Sequence, residues 1–381
     1  MKRISAIHSE RPETPWPMPS TMHVITGLHG GGAERLLTNL IGQQKARGEE
    51  LCVVSLTPGG IFRSTLESAG VDVTDLGMSR RRDALRGLLE LALLIRDRRP
   101  AVVQGWMYHA NVMGFLALLI AGRKRTRLIW GIFCSNLDSS AYHWSFRMIR
   151  GLGGLLSRYV DGIIYNAGEA RDFHHAIGFR EPRSVVISNC VDPAIFRRDL
   201  SERSSFRDSL QIAPDDVMLV VVARVDPMKD WSGMLEAVRE LPGIVTVAVG
   251  TGTDQLPPQS GFVGLGWRDD VARILSAADV FLLPSAFGEG SSLALEEAMS
   301  CSLPCIVTEV GGSSALVGEA GIVVEPRNPA AIRAAVLRLA SDREHREALG
   351  RAGRARAMAL NSAEEIARSL RHFSLPMEAA G

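Results

Sequence analysis

The sequence predicts an α/β protein of two Rossmann-like, doubly wound domains that face each other across a cleft. Its 381 residues suit two domains of ordinary size. From residue 22 onward, short β-branched runs alternate with helical patterns, which is typical of βαβ units and a parallel sheet. The alternation stops once, over residues 189–216, and then resumes. We therefore expect a loosely ordered extension at 1–20, domains at 21–192 and 193–360, and a C-terminal helix and tail at 361–381.

Each half of the chain supplies its own series of strands. In the first half the strand patterns are MHVIT, LCVVS, VDVTD, AVVQGW and RLIWG. In the second half they are VMLVVVA, IVTVAVG, GFVGLG, DVFLLP, PCIVT and GIVVE. Helical patterns separate them, and two more, at 329–340 and 343–373, close the chain. Ligands of open α/β sheets bind at the carboxyl ends of the strands, so we expect the site in the turns that follow these runs.

Composition excludes several classes of protein. The chain is 46% hydrophobic and 22% charged, as in a globular protein rather than a disordered or fibrous one. Its five cysteines form no C-x-x-C pair, so neither a disulfide framework nor a zinc cluster is indicated, and a reducing cytoplasm fits best. Residues 1–20 lack the apolar core of a secretion signal, and the most apolar stretch, 112–121, is about half of a membrane span.

The net charge of +1 conceals an asymmetry between the halves. Residues 1–190 carry a formal +8 and residues 191–381 carry −7. Basic clusters at 80–82, 96–99 and 123–127 attract anionic lipid, polyanions or nucleic acid, or are the solvated ends of helices. No nucleic-acid motif accompanies them and aromatic residues make up only 6%, so nucleic acid is not expected as a partner.

Two of the turns after strands carry glycines or cations. Gly30-Gly31-Gly32-Ala33-Glu34-Arg35 opens a helix, and its glycines let backbone N–H groups approach an anionic ligand. Arg224 and Lys229 follow a buried strand, where the pair can neutralise a diphosphate. The alternatives are a flexible turn and exposed loop charges, with Asp230 capping the next helix. Neither turn has the spacing G-x-G-x-x-G, so nicotinamide cofactors lose support.

The turn after DVFLLP is the most specific. A Gly-rich loop carries Glu289, Ser291 or Ser292 caps a helix, and Glu297 lies in its second turn. Carboxylates beside a helix N-terminus would repel an anion bound there, unless they face hydroxyl groups of the ligand. A nucleotide sugar has such hydroxyls on both sides of its diphosphate. Glu296 is expected to be the solvated neighbour. A fourth turn, residues 308–312, allows close approach of the backbone and carries little weight alone.

Together these motifs resemble glycosyltransferase family 4, the retaining enzymes of the GT-B fold, over residues 22–375. The resemblance implies two Rossmann-like domains facing a cleft, with the C-terminal helix returning to the N-terminal domain. Its matching segments are Ala223-Arg224 with Lys229-Asp230 for G-R-L…K-D, Glu289-x₇-Glu297 for E-x₇-E, Gly30–Arg35 for G-G-A-E-R, and Ser188–Asp192 with Phe196 for N-G-V-D…F.

The resemblance also implies residue roles. Arg224 and Lys229 would bind the donor diphosphate, and Glu297 would bond the ribose hydroxyls. Glu289 would face the transferred sugar. The phosphate cradle would be completed by the backbone amides of Ser291, Ser292 and Leu293, with Gly31 and Gly32. The family needs no metal held by Asp-x-Asp, and the sequence has no such tripeptide, so neither a metal nor a cofactor is expected beside the nucleotide-sugar donor.

The sequence departs from the family pattern at two places. Cys190 stands where the family usually has glycine. Residues 130–136 lack the histidine that many members carry after the corresponding strand. His109 is the candidate substitute near the reacting sugar, and its alternative role is that of a structural residue at a helix start.

These features favour retaining transfer of a sugar from a UDP- or GDP-sugar to a hydroxyl of a glycan or lipid-linked acceptor, in exopolysaccharide, lipopolysaccharide or other cell-surface glycan biosynthesis. The alternatives are a sugar-nucleotide epimerase or phosphorylase, a nicotinamide oxidoreductase, and a non-catalytic nucleotide- or glycan-binding protein. In residues 141–160, apolar side chains such as Trp144 and Leu155 alternate with Arg147 and Arg158. That pattern fits a helix on anionic lipid at the inner face of the plasma membrane, or a core helix with basic ends.

Overall fold

The computed structural model describes residues 20–46, 48–135, 138, 140–141, 143–187, 189, 191–360, 369 and 373. The predicted extension at 1–20 lies outside these residues except for Ser20. So do Cys190 and all but two positions of the predicted C-terminal segment.

The first domain contains seven described strands and six described α-helices. The strands are β1 (Thr21–Ile25), β2 (Leu51–Ser55), β3 (Asp72–Asp75), β4 (Val102–Trp106), β5 (Arg127–Ile132), β6 (Gly162–Tyr165) and β7 (Ser184–Val186). The helices are α1 (Gly32–Ala46), α2 (Phe62–Ser68), α3 (Ala84–Arg98), α4 (Met107–Ala121), α5 (Trp144–Leu156) and α6 (Gly168–Ala176). All strand pairs are parallel, in the order β3-β2-β1-β4-β5-β6-β7.

Helices cover both faces of this sheet. Residues of α1 and α2 pack on one face together with Phe373, and residues of α3, α4 and α5 pack on the other. Strands β1, β2 and β4 are buried throughout, which explains their largely apolar runs. The Arg127 guanidinium donates to the carbonyl of Phe373 at 3.3 Å, so the chain returns to the first domain at this residue, as predicted.

The second domain contains six strands and seven α-helices in the described chain. The strands are β8 (Val217–Val222), β9 (Ile244–Val249), β10 (Phe262–Gly264), β11 (Val280–Leu283), β12 (Cys305–Thr308) and β13 (Gly321–Val324). The helices are α7 (Leu200–Ser209), α8 (Trp231–Ala237), α9 (Val271–Ala277), α10 (Leu293–Ser300), α11 (Ser313–Val317), α12 (Pro329–Ser341) and α13 (Arg343–Leu360). The parallel sheet has the order β10-β9-β8-β11-β12-β13.

The predicted elements agree best with the second domain. All six of its predicted strands are present, whereas β6 and β7 of the first domain were not among the predicted strands. Both are short, and β7 lies at the sheet edge with exposed and half-buried residues, so its apolar pattern is incomplete. In the described chain, every helix is too short or too polar to cross a bilayer.

The strand order places a crevice in each sheet. In the first sheet, β2 and β3 lie on one side of β1, and the chain then crosses to β4 on the other side. In the second sheet, β9 and β10 lie on one side of β8, and β11 lies on the other. Such switch points are where doubly wound sheets bind ligands, at the carboxyl ends of the strands.

Candidate active site

A cleft of about 440 Å³ lies between the domains, at the carboxyl ends of their strands. It is lined by residues that follow β1, β4, β5 and β6 in the first domain and β8, β9 and β11 in the second. Nine of the ten predicted site residues line it, namely Gly31, Gly32, Arg224, Lys229, Glu289, Ser291, Ser292, Leu293 and Glu297. The tenth, His109, is exposed in the first turn of α4 and is not among the described residues that line the cleft.

The turn after β8 is fixed by its own hydrogen bonds. Asp226 accepts a bond from the backbone of the 3₁₀ turn Pro227–Lys229. Asp230 caps α8, a feature named with the alternative of exposed loop charges, and adopts a left-handed conformation with φ 41°. The indole of Trp231 donates to the carbonyl of Arg224 at 3.0 Å. The backbone on both sides of the two cations is therefore held in place, while their side chains project into the cleft.

The Lys229 ammonium forms an ion pair with the Glu289 carboxylate. The hydroxyl of Ser285 donates to the same oxygen of Glu289, Oε1. Both members of the pair are largely buried, since little of either side chain reaches solvent. The carboxylate is thus oriented by two donors of its own domain.

The backbone of Glu289 is held from both domains. Ser135, which follows β5, donates its hydroxyl to the Glu289 carbonyl and its N–H to the carbonyl of Gly288 at 3.3 Å. From the second domain, Gly311 has φ +55° and lies so close that any side chain would collide with that carbonyl and with the Ser135 hydroxyl. The close approach predicted for the fourth turn is therefore an approach to the Glu289 loop.

The N-terminus of α10 is open toward the cleft. Ser292 occupies the predicted N-cap position, but no side-chain hydrogen bond caps the helix in the described structure. The hydroxyl of Ser291 donates to Glu296 instead. Leu293 and Ala294, in the first turn, line the cleft. Backbone N–H groups at a helix N-terminus bind anions, so this turn can receive a phosphate.

The expectation that Glu296 is solvated is wrong, because its exposed fraction is 0%. The side chain of Asn189 donates to Glu296 Oε1 at 2.9 Å and to the carbonyl of Ser291 at the same distance. Asn189 belongs to the segment that connects the domains. That segment covers the face of α10 on which Glu296 lies, and this contact cannot be predicted from the pattern of the helix alone.

Glu297 is also buried, with a side-chain exposed fraction of 1%. Its partner is Arg35, from the first domain, whose guanidinium lies 3.2 Å from Glu297 Oε1. Burial raises the pKa of Glu297 to about 7, and the charge of Arg35 acts in the opposite direction. The same guanidinium stands over the ring of Phe196 at 5.5 Å. Arg35 therefore links the two domains across the cleft.

Sequence reasoning missed most of the first-domain wall. Met107, Phe133 and Phe146 give this wall an apolar surface, and Met107 has the unusual φ of +66°. Asn166 donates to the carbonyl of Ser291 at 3.0 Å. All four residues follow a strand or lie in the first turn of the next helix, where ligands of parallel sheets bind. Their positions therefore pointed to the site, but only Asn166 has a polar side chain that would have marked it in the sequence.

Comparisons with known proteins cover both domains. A family model described as Glycosyltransferase Family 4 matches residues 30–195, and one described as Glycosyl transferases group 1 matches residues 202–356. The chain is 24% identical over 345 residues to the lipopolysaccharide core biosynthesis glycosyltransferase LpsD of Rhizobium meliloti, a match that covers 87% of this chain and 91% of that protein.

Other curated relatives match over shorter stretches. The chain is 36% identical over 154 residues to the UDP-Gal:alpha-D-GlcNAc-diphosphoundecaprenol alpha-1,3-galactosyltransferase of Escherichia coli, covering 35% of this chain. It is 28% identical over 170 residues to a D-inositol 3-phosphate glycosyltransferase of Mycobacterium marinum, covering 40% of this chain. These matches span only 38% and 36% of the relatives' own lengths.

Two solved structures share the architecture. Anabaena HepE, solved in complex with UDP-glucose, aligns with a TM-score of 0.80 and 18% identity over 93% of this chain and 98% of that chain. The sucrose-phosphate synthase of Thermosynechococcus elongatus aligns with a TM-score of 0.79 and 17% identity over 95% and 100%. With a family model on each domain and the fold shared over nearly all of its length, the chain belongs to glycosyltransferase family 4 and has the GT-B fold.

Proposed function

We propose that this protein is a retaining, metal-independent glycosyltransferase that moves a sugar from a nucleotide-sugar donor to a hydroxyl of a glycan or lipid-linked acceptor. The observation that carries the proposal is the convergence of two cations, an open helix N-terminus and two buried carboxylates on one cleft. UDP is the favoured nucleotide over GDP, because HepE was solved with UDP-glucose and the name of the E. coli relative specifies UDP-Gal.

In this proposal the donor diphosphate lies against Arg224, Lys229 and the first turn of α10. When the anomeric C–O bond breaks, its electron pair goes to the diphosphate oxygen. Preorganised cations and N–H groups lower the barrier to such a step because they already point at the developing charge. They also supply the positive charge that a divalent cation would otherwise provide, so we expect EDTA to leave the activity unchanged.

Retention follows if the acceptor hydroxyl enters on the face that the diphosphate leaves. The acceptor oxygen bonds to the anomeric carbon, and its proton passes to the departing diphosphate oxygen. The step needs no nucleophile from the protein, and the Glu289 carboxylate is already engaged by Lys229 and Ser285. We assign Glu289 to the hydroxyls of the transferred sugar. His109 receives no step because it does not line the described cleft.

Glu297 is assigned to the ribose hydroxyls of the donor. Its carboxylate forms an ion pair with Arg35, from the opposite domain, and its Oε1 is buried without a hydrogen bond among the described residues. Ribose binding therefore exchanges an ion pair across the cleft for hydrogen bonds to the donor.

The acceptor is assigned to the first-domain wall, where Met107, Phe133 and Phe146 lie. We place the reaction in the cytoplasm, at the inner face of the plasma membrane, in the synthesis of a cell-surface glycan such as lipopolysaccharide or exopolysaccharide. The free state of the four described cysteines suits a reducing compartment.

Donor binding is tested by thermal-shift measurements with UDP, GDP, ADP and the corresponding nucleotide sugars. A ligand that binds only the folded protein raises the apparent stability of that protein. We expect a shift with the uridine compounds that disappears in Glu297→Ala and Lys229→Ala. Product from the UDP-sugar that shifts the protein should retain the anomeric configuration, as measured by NMR. Inverted product, or shifts that both variants preserve, would contradict the proposal.

A further inference from the structure

A buried chain of hydrogen bonds runs through the first domain from α6 to the cleft. Its three side chains are His174 on α6, Tyr108 on α4 and Cys134, which follows β5. The Tyr108 hydroxyl lies 2.6 Å from His174 Nε2 and 3.5 Å from Cys134 Sγ. At the far end, His174 Nδ1 lies 2.6 Å from the carbonyl oxygen of Ala170. All three side chains are buried, and of the three only Cys134 is among the described residues that line the cleft.

The chemistry of these groups fixes the direction in which each one donates. The carbonyl of Ala170 can only accept, so the proton of His174 lies on Nδ1. Burial lowers the pKa of His174 to about 4, so the ring carries one proton and its Nε2 accepts from the Tyr108 hydroxyl. Burial also raises the pKa of the Cys134 thiol to about 12, so the thiol keeps its proton and donates to the Tyr108 oxygen. Tyr108 is therefore held from both sides.

The far side of Cys134 meets the second domain. We define the β5 loop as residues 133–135. Cys134 forms an antiparallel backbone bridge with Glu289. Ser135 donates its N–H to the carbonyl of Gly288 and its hydroxyl to the carbonyl of Glu289. A displacement of the β5 loop must therefore displace the Glu289 backbone, because neither contact has room to absorb it in a close-packed interior.

On its own side, the β5 loop is held by the first turn of α4. The N–H of Phe133 donates to Met107 Sδ at 3.4 Å, and the thiol of the next residue, Cys134, donates to Tyr108. Sulfur makes weak hydrogen bonds, whereas the bond between Tyr108 and His174 joins a hydroxyl to an imidazole nitrogen. The bond to His174 is thus the strong constraint that keeps the Tyr108 hydroxyl under the β5 loop.

We propose that Tyr108 is a positioning residue for the transferred sugar: with His174 it fixes the β5 loop and, through that loop, the Glu289 backbone of the opposite domain. The inference rests on the proposed function, which assigns the Glu289 carboxylate to the sugar hydroxyls. Lys229 and Ser285 orient that carboxylate from within the second domain. The β5 loop adds a constraint from the first domain, so the place of the sugar depends on both.

Tyr108→Phe tests this role, because it removes the hydroxyl and keeps the ring. We expect kcat for sugar transfer to fall by roughly tenfold or more, since small displacements of a positioning group are costly. Water needs less exact alignment than a bound acceptor, so the amount of UDP released per glycoside formed should rise. Both products are measured in one reaction. The thermal shift caused by UDP should persist, because UDP carries no sugar for Glu289 to hold.

Tyr165→Phe is the matched control for a purely structural effect. Tyr165 is a buried tyrosine of the same core, its ring lies 5.7 Å from that of His174, and its hydroxyl donates to Glu181 rather than to the β5 loop. Both variants should lower the Tm, but Tyr165→Phe should keep the wild-type kcat and product ratio. Ser135→Ala cuts the chain at its last bond and should reproduce Tyr108→Phe, and the double variant should be no worse than either single one.

Three results would overturn the inference: a wild-type kcat and product ratio in Tyr108→Phe, equal changes in Tyr165→Phe, or effects of Tyr108→Phe and Ser135→Ala that add in full. If Tyr108→Phe does not fold, Cys134→Ala removes the same contact from the other side and must give the same two changes. A wild type that forms no glycoside overturns the proposed function and this inference with it. A wild type that forms glycoside, with an unchanged Tyr108→Phe, overturns this inference alone.

Discussion

The two walls of the cleft differ in chemistry. The second-domain wall presents Arg224, Lys229, Glu289, Glu297 and the N-terminus of α10, whereas the first-domain wall, beyond its glycine turn, includes the side chains of Met107, Phe133 and Phe146. One wall is organised around charge and directed hydrogen bonds, and much of the other is organised around apolar contact.

This difference explains why the second-domain wall carried most of the sequence signal, whereas the first-domain wall was predicted only at its glycine turn. A diphosphate must be met by cations and N–H groups at fixed positions, so few residue types serve at each position and their spacing forms a motif. An apolar surface can be built from many side chains of similar volume, so its positions carry no such signature. The comparison predicts large, specific effects of substitution on the second-domain wall and smaller effects, confined to the acceptor, on the first.

The largest effect is expected from Lys229→Ala. The substitution removes the cation that the proposed function places at the leaving group, and it leaves the buried carboxylate of Glu289 without its ion-pair partner. Loss of one preorganised donor of this kind lowers kcat by about 10²–10³. We expect such a decrease in steady-state release of UDP at saturating acceptor.

Arg338→Ala is the control for loss of a cation, because Arg338 is exposed on α12 and outside the cleft lining. It should retain the wild-type rate. A kcat for Lys229→Ala within about threefold of the wild type would mean that the second-domain wall does not act on the leaving group.

Much of the fold could be predicted from the sequence because the buried strands are continuous apolar runs. The six strands of the second domain were found in this way. β7 was missed because an edge strand of three residues, with no buried residue, leaves almost no hydrophobic pattern. A local sequence pattern also does not show when a segment distant in the chain buries a residue. Glu296 was expected in solvent for this reason, although Asn189 covers it.

At the site, sequence reasoning found which residues line the cleft on the second-domain side but not how they are paired. The ion pairs Lys229–Glu289 and Arg35–Glu297 join residues 60 or more positions apart, and the second pair joins the two domains. Motif spacing fixes a residue's position in one turn. The partner of a side chain depends on how the sheets and domains pack, which no local pattern encodes.

An intermediate effect is expected from Glu297→Gln, and it depends on pH. Burial raises the Glu297 pKa from 4.5 to about 7, so the folded protein binds a proton that the unfolded chain releases. The stability that this proton contributes is complete below pH 4.5 and is lost as the pH rises through about 7. The variant keeps a neutral side chain, so above about pH 8 its free energy of unfolding should exceed that of the wild type by roughly 3 kcal/mol.

Urea unfolding of both proteins between about pH 5 and pH 8 measures this difference. Glu319→Gln, at an exposed glutamate of the second domain, is the control and should follow the wild type at every pH. Parallel curves for Glu297→Gln and the wild type would show that the charged carboxylate of the second-domain wall carries no stability cost. The contrast between the two walls would then lose its energetic basis.

The smallest effect, and the one that tests the other wall, is expected from Phe146→Ala. Phe146 lines the cleft and also packs against the core of the first domain, so a change in activity has two possible origins. Ile149 separates them, because it packs against the same core from the same helix but is not among the described residues that line the cleft. Both substitutions should lower the Tm, whereas only Phe146→Ala should raise the acceptor KM, by about tenfold, with the donor KM unchanged.

If Ile149→Ala raises the acceptor KM equally, the apolar side chains of the first-domain wall act through packing alone, and the acceptor must be recognised elsewhere. If Phe146→Ala raises the donor KM instead, the donor extends across the cleft, and the division of labour between the two walls is wrong.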